Sequence, residues 1–314
     1  MLKKSFISIM MLFMSAVWAI DASKEPLKPL PPPAKVDEVR VKIGRLLFHD
    51  KRLSKSGTIS CASCHDLQKG GTDRSVVSIG INEQKGGINS PTVYNSRHNF
   101  VQFWDGRAAS LEEQAEGPVA NPVEMGMEWE AVVKIVQQDP QYKALFAKAF
   151  NGKISKKTIT EAIADFERTL DTPSRFDDYL AGDEQALTAQ EKTGYAKFKQ
   201  YGCIACHSGV NVGGHMYQKM GLVHDYFKDR GSIKKEDLGR FNITGKESDR
   251  HLFKVPTLRN VELTWPYFHD GSVKTLKEAV INMGHYQLGI TIPDKDAEDI
   301  VAFLKTLTGK ELAN

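Results

Sequence analysis

The sequence predicts an all-α protein built as two similar halves, and three observations carry that prediction. The pattern Cys-x-x-Cys-His occurs twice, as Cys61-Ala62-Ser63-Cys64-His65 and as Cys203-Ile204-Ala205-Cys206-His207. A stretch with helical apolar character precedes each copy. A second amphipathic stretch closes each half.

The two copies use all four cysteines of the chain. Two thiols three positions apart can each form a thioether to a porphyrin vinyl group, and the histidine that follows is then placed under the iron. A zinc site or a thioredoxin-like redox pair also uses Cys-x-x-Cys, but neither accounts for a histidine in the same place twice. The expected cofactors are therefore two haem c groups, one on Cys61, Cys64 and His65 and one on Cys203, Cys206 and His207. No cysteine is left over for a structural disulfide.

Lys3 and Lys4 precede an apolar run from Phe6 to Trp18, and Val17-Trp18-Ala19 offers small residues at cleavage spacing. Residues 1–19 read as a secretory signal peptide. The run is short for a bilayer span, so no membrane span is expected in the mature chain. Export agrees with haem c, which is attached outside the cytoplasm, and the expected location is the periplasm. Hydrophobic residues at 41% and charged residues at 26% suit a soluble globular protein. The net charge of +3 includes Lys3 and Lys4, so the chain has no basic nucleic-acid footprint.

Residues 20–35, with Pro31-Pro32-Pro33, predict an extended linker outside any core. The first domain is expected over 36–176 and the second over 177–314. Val41, Ile43, Leu46, Leu47 and Phe48 form a helical stripe that ends near His49. Gly70 to Asn95 is loop, punctuated by glycines. A helical piece starts at Leu111 and is expected to stop at Gly117-Pro118. Helices follow over Trp129–Gln138, Gln141–Phe150 and Thr158–Leu170, the last with Ile159, Ile163, Phe166 and Leu170 on one face. In the second half a helix over Thr188–Gln200 leads into the second motif. Asn211 to Asp249 is irregular. A final helix over Asp296–Leu307 carries Ile300, Val301, Phe303, Leu304 and Leu307. A helix before the haem motif and another at the end is the plan of a cytochrome c domain.

Function turns on the sixth iron ligand. Histidine with methionine closes an iron and raises its potential, whereas an open position admits peroxide. Met283 is a candidate for the second haem, against the alternative that it is core filler. For the first haem His49 and His98 are the nearest histidines, and neither has a decisive spacing.

Six further segments carry a resemblance: Asn89-Ser90-Pro91-Thr92-Val93-Tyr94-Asn95, Gln102-Phe103-Trp104-Asp105-Gly106-Arg107, Leu111-Glu112-Glu113-Gln114-Ala115, Asn121-Pro122-Val123-Glu124-Met125, Val255-Pro256-Thr257-Leu258-Arg259-Asn260 and Pro266-Tyr267-Phe268-His269-Asp270-Gly271. Together with the two haem motifs they resemble the bacterial dihaem cytochrome c peroxidases, from about Val36 to Gly309. The resemblance implies a peroxidatic first haem and an electron-receiving second haem with Met283 as its distal ligand. It implies that Trp104 lies between the haems and that Gln114 and Glu124 line the peroxide pocket. It also implies a calcium ion held by the Asn89 side chain and the main-chain carbonyls of Thr264 and Pro266, an oxygen-only set that suits a hard cation. The implied partners are hydrogen peroxide and a small monohaem cytochrome c or copper protein as donor, and a homodimer is implied as well.

The chain departs from the family pattern at one point. Many members carry a histidine after Ser-Ile-Gly in the loop beyond the first haem, which closes the peroxidatic iron until the other haem is reduced. Here the segment is Ser78-Ile79-Gly80-Ile81-Asn82, and Ile81 cannot bind iron. His98 is the nearest histidine after that loop. Two other readings stay open: a non-enzymatic dihaem electron carrier, and a MauG-like dihaem oxidase of a partner protein. In that last branch a tyrosine replaces the distal methionine, and Tyr286 lies close to Met283.

Overall fold

The computed structural model describes residues 23–313, so the expected signal peptide lies outside the described residues. The fold is all-α apart from one short two-stranded sheet, in agreement with the expected class.

In the first half α1 (Glu38–His49) begins where the Asp37 carboxylate accepts the Val39 and Arg40 N–H groups at 2.9 and 3.0 Å. Such a cap satisfies donors that the first helical turn leaves free. Four helices follow: α2 (Leu111–Ala120), α3 (Trp129–Gln138), α4 (Pro140–Ala149) and α5 (Lys156–Glu167). Their apolar faces meet in a core that includes Ile43, Leu47, Val119, Val132, Phe146, Ile159 and Ile163. At Gly44 the first helix presses directly onto α5, where a Cβ would run into the Ala162 carbonyl. The stop expected at Gly117-Pro118 is overturned, because α2 continues through Pro118 to Ala120. Proline removes only the one N–H that would reach the Gln114 carbonyl, and the helix ends two residues later.

The second half is built on α6 (Arg175–Leu180), α7 (Ala189–Gln200), α8 (Leu276–Met283) and α9 (Asp294–Lys305). α7 packs on α9, and here a Cβ on Gly194 would run into the Asp299 carbonyl. Phe176 lies edge-on to Tyr195 and Phe303, with ring centres 4.9 and 5.2 Å apart. Phe198, Ile300 and Leu304 complete this centre. The strands β1 (Tyr217–Lys219) and β2 (Leu252–Lys254) pair antiparallel, with Tyr217 opposite Lys254 and Gln218 opposite Phe253.

The proline-rich linker is not outside the core, which corrects the expectation for residues 20–35. Leu27 is 0% exposed within the second core and bridges to Gly209. The Leu30 N–H donates to Asp177 at 2.9 Å, and the buried Arg259 guanidinium donates to both Asp177 oxygens and to the Lys28 carbonyl. A proline-rich strand has no internal hydrogen bonds, so its free carbonyls and one apolar side chain can dock on a neighbour. Burial pushes the Asp177 carboxyl up, but the hydrogen bonds and charge of Arg259 outweigh it and leave the group below the usual carboxylate range.

Candidate active site

The first motif forms a single helical turn, Cys61–Cys64, after Ser60. His65 follows it, and its Nδ1 donates to the Gly71 carbonyl at 3.3 Å. The second motif is a 3₁₀ turn, Cys203–Ala205, and His207 Nδ1 donates to the Val212 carbonyl at 3.3 Å. In each half that bond fixes the tautomer and leaves Nε2 as the free lone pair, the arrangement of a metal-binding histidine. Burial lowers the basicity of both imidazoles, that of His207 to about 4, against the raising effect of the carbonyls. None of the four cysteines is in a disulfide among the described residues. Burial pushes Cys61 up to about 12, and Cys64 and Cys203 up to about 11. Two sulfurs beside an aimed imidazole, in each half, fit a haem held by thioethers.

In the second half one large apolar cavity is lined by Cys203, Cys206, His207 and Met283, with Phe198 and Leu304 among its walls. Met283 is the last residue of α8, where the chain passes into a π-helical turn, Gly284–Leu288. Tyr286, the alternative, packs in the same apolar cluster as Met283 but does not line the cavity. Burial raises its hydroxyl, and a hydrogen bond to Asp229 adds to the rise.

In the first half Glu124 lies near the motif, and its charge acts on both Cys61 and Cys64. Asn121 Nδ2 donates to Glu124 Oε1 at 2.8 Å. Burial raises the Glu124 carboxyl above its ordinary value, against the Arg107 charge and the Asn121 hydrogen bond, which lower it. Arg107 stacks over Phe103 at 3.4 Å, and Phe103 faces Gly117 on α2. Gln114 lies one turn before Gly117, on the same side of that helix.

Ile81 is 4% exposed. Its N–H donates to the Glu124 carbonyl at 2.9 Å, and its Cδ1 covers Gly126. Gly80 leaves no room for a Cβ against Val123 and Glu124. The loop is thus clamped onto the backbone that carries the carboxylate. His98 is engaged elsewhere, with Nε2 3.1 Å from Asp171 beside an Arg97–Asp171 pair. His49 is exposed, with Nδ1 on the Arg45 carbonyl.

Trp104 lies where the halves meet. Its indole N–H donates to the Asn89 carbonyl at 2.8 Å, and its ring meets Phe253 and His269 edge-on at 6.4 Å. It lines the second cavity together with Asn89, Ser90 and Pro91, and the Pro91 backbone also reaches His65. Asn89, Thr264 and Pro266 share that lining. Asn89 Nδ2 donates to the Ser75 carbonyl at 2.8 Å. Among the described residues nothing donates to Asn89 Oδ1, so the three oxygens fit a calcium ion by their chemistry. Sequence reasoning gave no role to Asn121, Arg107 or Lys254. The first two lie inside the recognised segments, and an asparagine three residues before a glutamate was the available signal.

The family model described as di-haem cytochrome c peroxidase matches residues 38–185, and a cytochrome c model matches 191–308. A cytochrome c551 peroxidase of Nitrosomonas europaea is 48% identical over 99% of this chain and 93% of its own length. The cytochrome c peroxidase Ccp of Escherichia coli is also 48% identical, over 91% of this chain and 61% of that longer protein. A crystal structure of a MauG-like protein associated with microbial copper homeostasis superposes with a TM-score of 0.78 at 32% identity, over 94% of this chain and 97% of that one.

Proposed function

This chain belongs to the di-haem cytochrome c peroxidase family, and we propose on that premise that it reduces hydrogen peroxide to two waters, taking up two protons and two electrons. The two haems, once attached, supply one-electron storage and, where an axial position is free, a place for peroxide. The observation that carries the assignment is the contrast between the axial sides. Met283 lines the second cavity, whereas the first motif faces Glu124 and has the non-ligating Ile81 packed away.

In this reading His65 and His207 would each be a ligand to a haem iron, and Met283 would be a further ligand to the second. Glu124 takes a proton from one peroxide oxygen and returns it to the other. Burial makes the carboxylate a stronger base than an exposed one, and Asn121 keeps it turned one way. Gln114 orients the oxygens by hydrogen bonding. Electrons enter at the second half from a small monohaem cytochrome c or a copper protein and pass by way of Trp104. Asn89, Thr264 and Pro266 hold calcium at the join. The working form is an exported homodimer in the periplasm. Among the described residues no helix is long and apolar enough to cross a membrane.

The engagement of Tyr286 with Asp229 supports the peroxidase over a MauG-like oxidase of a partner protein. A non-enzymatic carrier would need a strong ligand on both irons, and Ile81 with a committed His98 speaks against it. The test is steady-state peroxide reduction with a reduced cytochrome c donor, on enzyme with and without prior reduction. Turnover from the fully oxidised enzyme is expected. A low-spin bis-histidine first haem that is silent until reduced would reject the open-pocket reading.

A further inference from the structure

Lys254 is 5% exposed, at the end of β2. Its backbone N–H donates to the Trp104 carbonyl at 2.8 Å. Its ammonium group makes no ion pair and no hydrogen bond with any described residue. Most other buried charges have a partner. Arg259 meets Asp177 at 2.9 Å, Asp237 meets His269 at 2.7 Å, and Asp299 meets Lys197 at 2.7 Å. The exception besides Lys254 is Glu167, in the other half. Among the described residues Ser96 Oγ is the one side-chain polar atom that is both sealed in and unpartnered. The unpartnered Lys254 Nζ therefore still meets open space, and the residue lines the second haem cavity.

That cavity is otherwise uncharged. No Asp, Glu or Arg contributes to its walls, and its polar lining is neutral, with Asn99, Gln218 and Thr257 as examples. Burial alone lowers the lysine to about 8, with no neighbouring charge to offset it. A buried, unpaired ammonium is costly unless an anion arrives to meet it. A haem brings two propionate carboxylates, and the second motif places a haem in this cavity.

We propose that Lys254 is a positioning residue that pairs with a propionate of the second haem and holds that haem's reduction potential up. Removing the cation leaves the carboxylate uncompensated, and a nearby negative charge disfavours the added electron. This rests on the second haem being bound. It does not rest on the peroxide step, so its failure would leave the proposed activity untouched.

The test is a potentiometric titration of both haems in the holoenzyme, read from the absorbance of each. Lys254→Met keeps the length of the side chain and removes its charge. It should lower the reduced-to-oxidised ratio of the second haem at fixed ambient potential by about tenfold, or 59 mV for one electron. The first haem should stay within a fraction of that. Lys254→Arg should restore most of the wild-type potential. An unchanged second haem in Lys254→Met would overturn the proposal, as would a shift confined to the first haem. An equal fall in Lys254→Arg would also overturn it, by assigning the effect to packing. If Lys254→Met fails to retain the second haem, Lys254→Gln is titrated against Lys254→Arg with the same outcomes.

Discussion

Gly44 lets α1 press on α5 in the first half, and Gly194 lets α7 press on α9 in the second. In each half the first helix of the pair also contacts the Cys-x-x-Cys-His turn, whose histidine donates Nδ1 to a backbone carbonyl at 3.3 Å. Around the histidine the two halves therefore use one solution. They part in what surrounds the rest of the motif. The second half ends α8 with a methionine in an apolar cavity, and its one charged wall residue is a lysine. The first half brings a glutamate near its motif and clamps a loop against the backbone of that glutamate through Gly80 and Ile81. The shared part attaches a cofactor, and the divergent part decides what the cofactor can do. A closed, apolar iron site suits electron storage, while an open one beside a carboxylate suits proton-coupled chemistry.

Glu124→Gln attacks this contrast most directly. The two side chains are nearly equal in volume, so the fold and both haem spectra should persist. Peroxide turnover should fall by ~10²-fold or more, the scale of a lost acid–base group. Turnover like wild type under conditions where chemistry limits the rate would remove the functional difference between the pockets.

The smaller effect expected of Ile81→His would sharpen the comparison by making the first pocket resemble a closed one. An imidazole there would replace a side chain that covers Gly126, in a loop held by the Glu124 carbonyl. Ligation would thus compete with packing. A preference of about 1.4 kcal/mol for the closed arrangement is enough for a tenfold loss of activity in the oxidised enzyme. The expected result is a low-spin ferric signal at the first haem, with activity recovered on prior reduction. A variant that stays high-spin and active would show that packing wins.

The attachment motifs and the missing loop histidine were legible because covalent chemistry and iron ligation demand particular side chains at particular spacings. Gly44 and Gly194 were not read, although a glycine inside an apolar helical stripe is a signal of close approach. The linker was misread at Leu27, because composition describes a segment and says nothing of the surface it meets. α2 ran past Pro118 because one missing N–H is a small loss near a helix end. Lys254 sits between Phe253 and Val255, and a lysine in a half-apolar stretch reads as solvated. Only the cavity made by distant segments reveals that it is buried and alone.

The least effect concerns stability, where carboxyls raised by burial act against carboxyls that their neighbours hold down. In the first half burial raises Glu124, Asp165 and Glu167, the last to about 8. In the second half burial also pushes Asp177 and Asp270 up, but Arg259 and, for Asp270, His269 with Ser272 and Arg230 outweigh it and hold both below the usual range. The two groups act in opposite pH windows. A carboxyl raised to about 8 when folded, against about 4.3 when unfolded, binds its proton more tightly in the native state. Its stabilising effect is complete below about pH 4.3 and is lost as pH rises through about 8. The depressed carboxyls contribute fully above about pH 4, and that contribution is lost as pH falls further. The melting temperature should therefore rise as pH falls from about 8 to 5, by roughly 2–4 °C for each kcal/mol gained. Below pH 4 it should drop. Glu167→Gln should flatten the rise between pH 8 and 5 and leave the acid drop in place, because the depressed carboxyls titrate in a separate window. If the mutant keeps the full rise, the buried carboxylate of α5 is not its source.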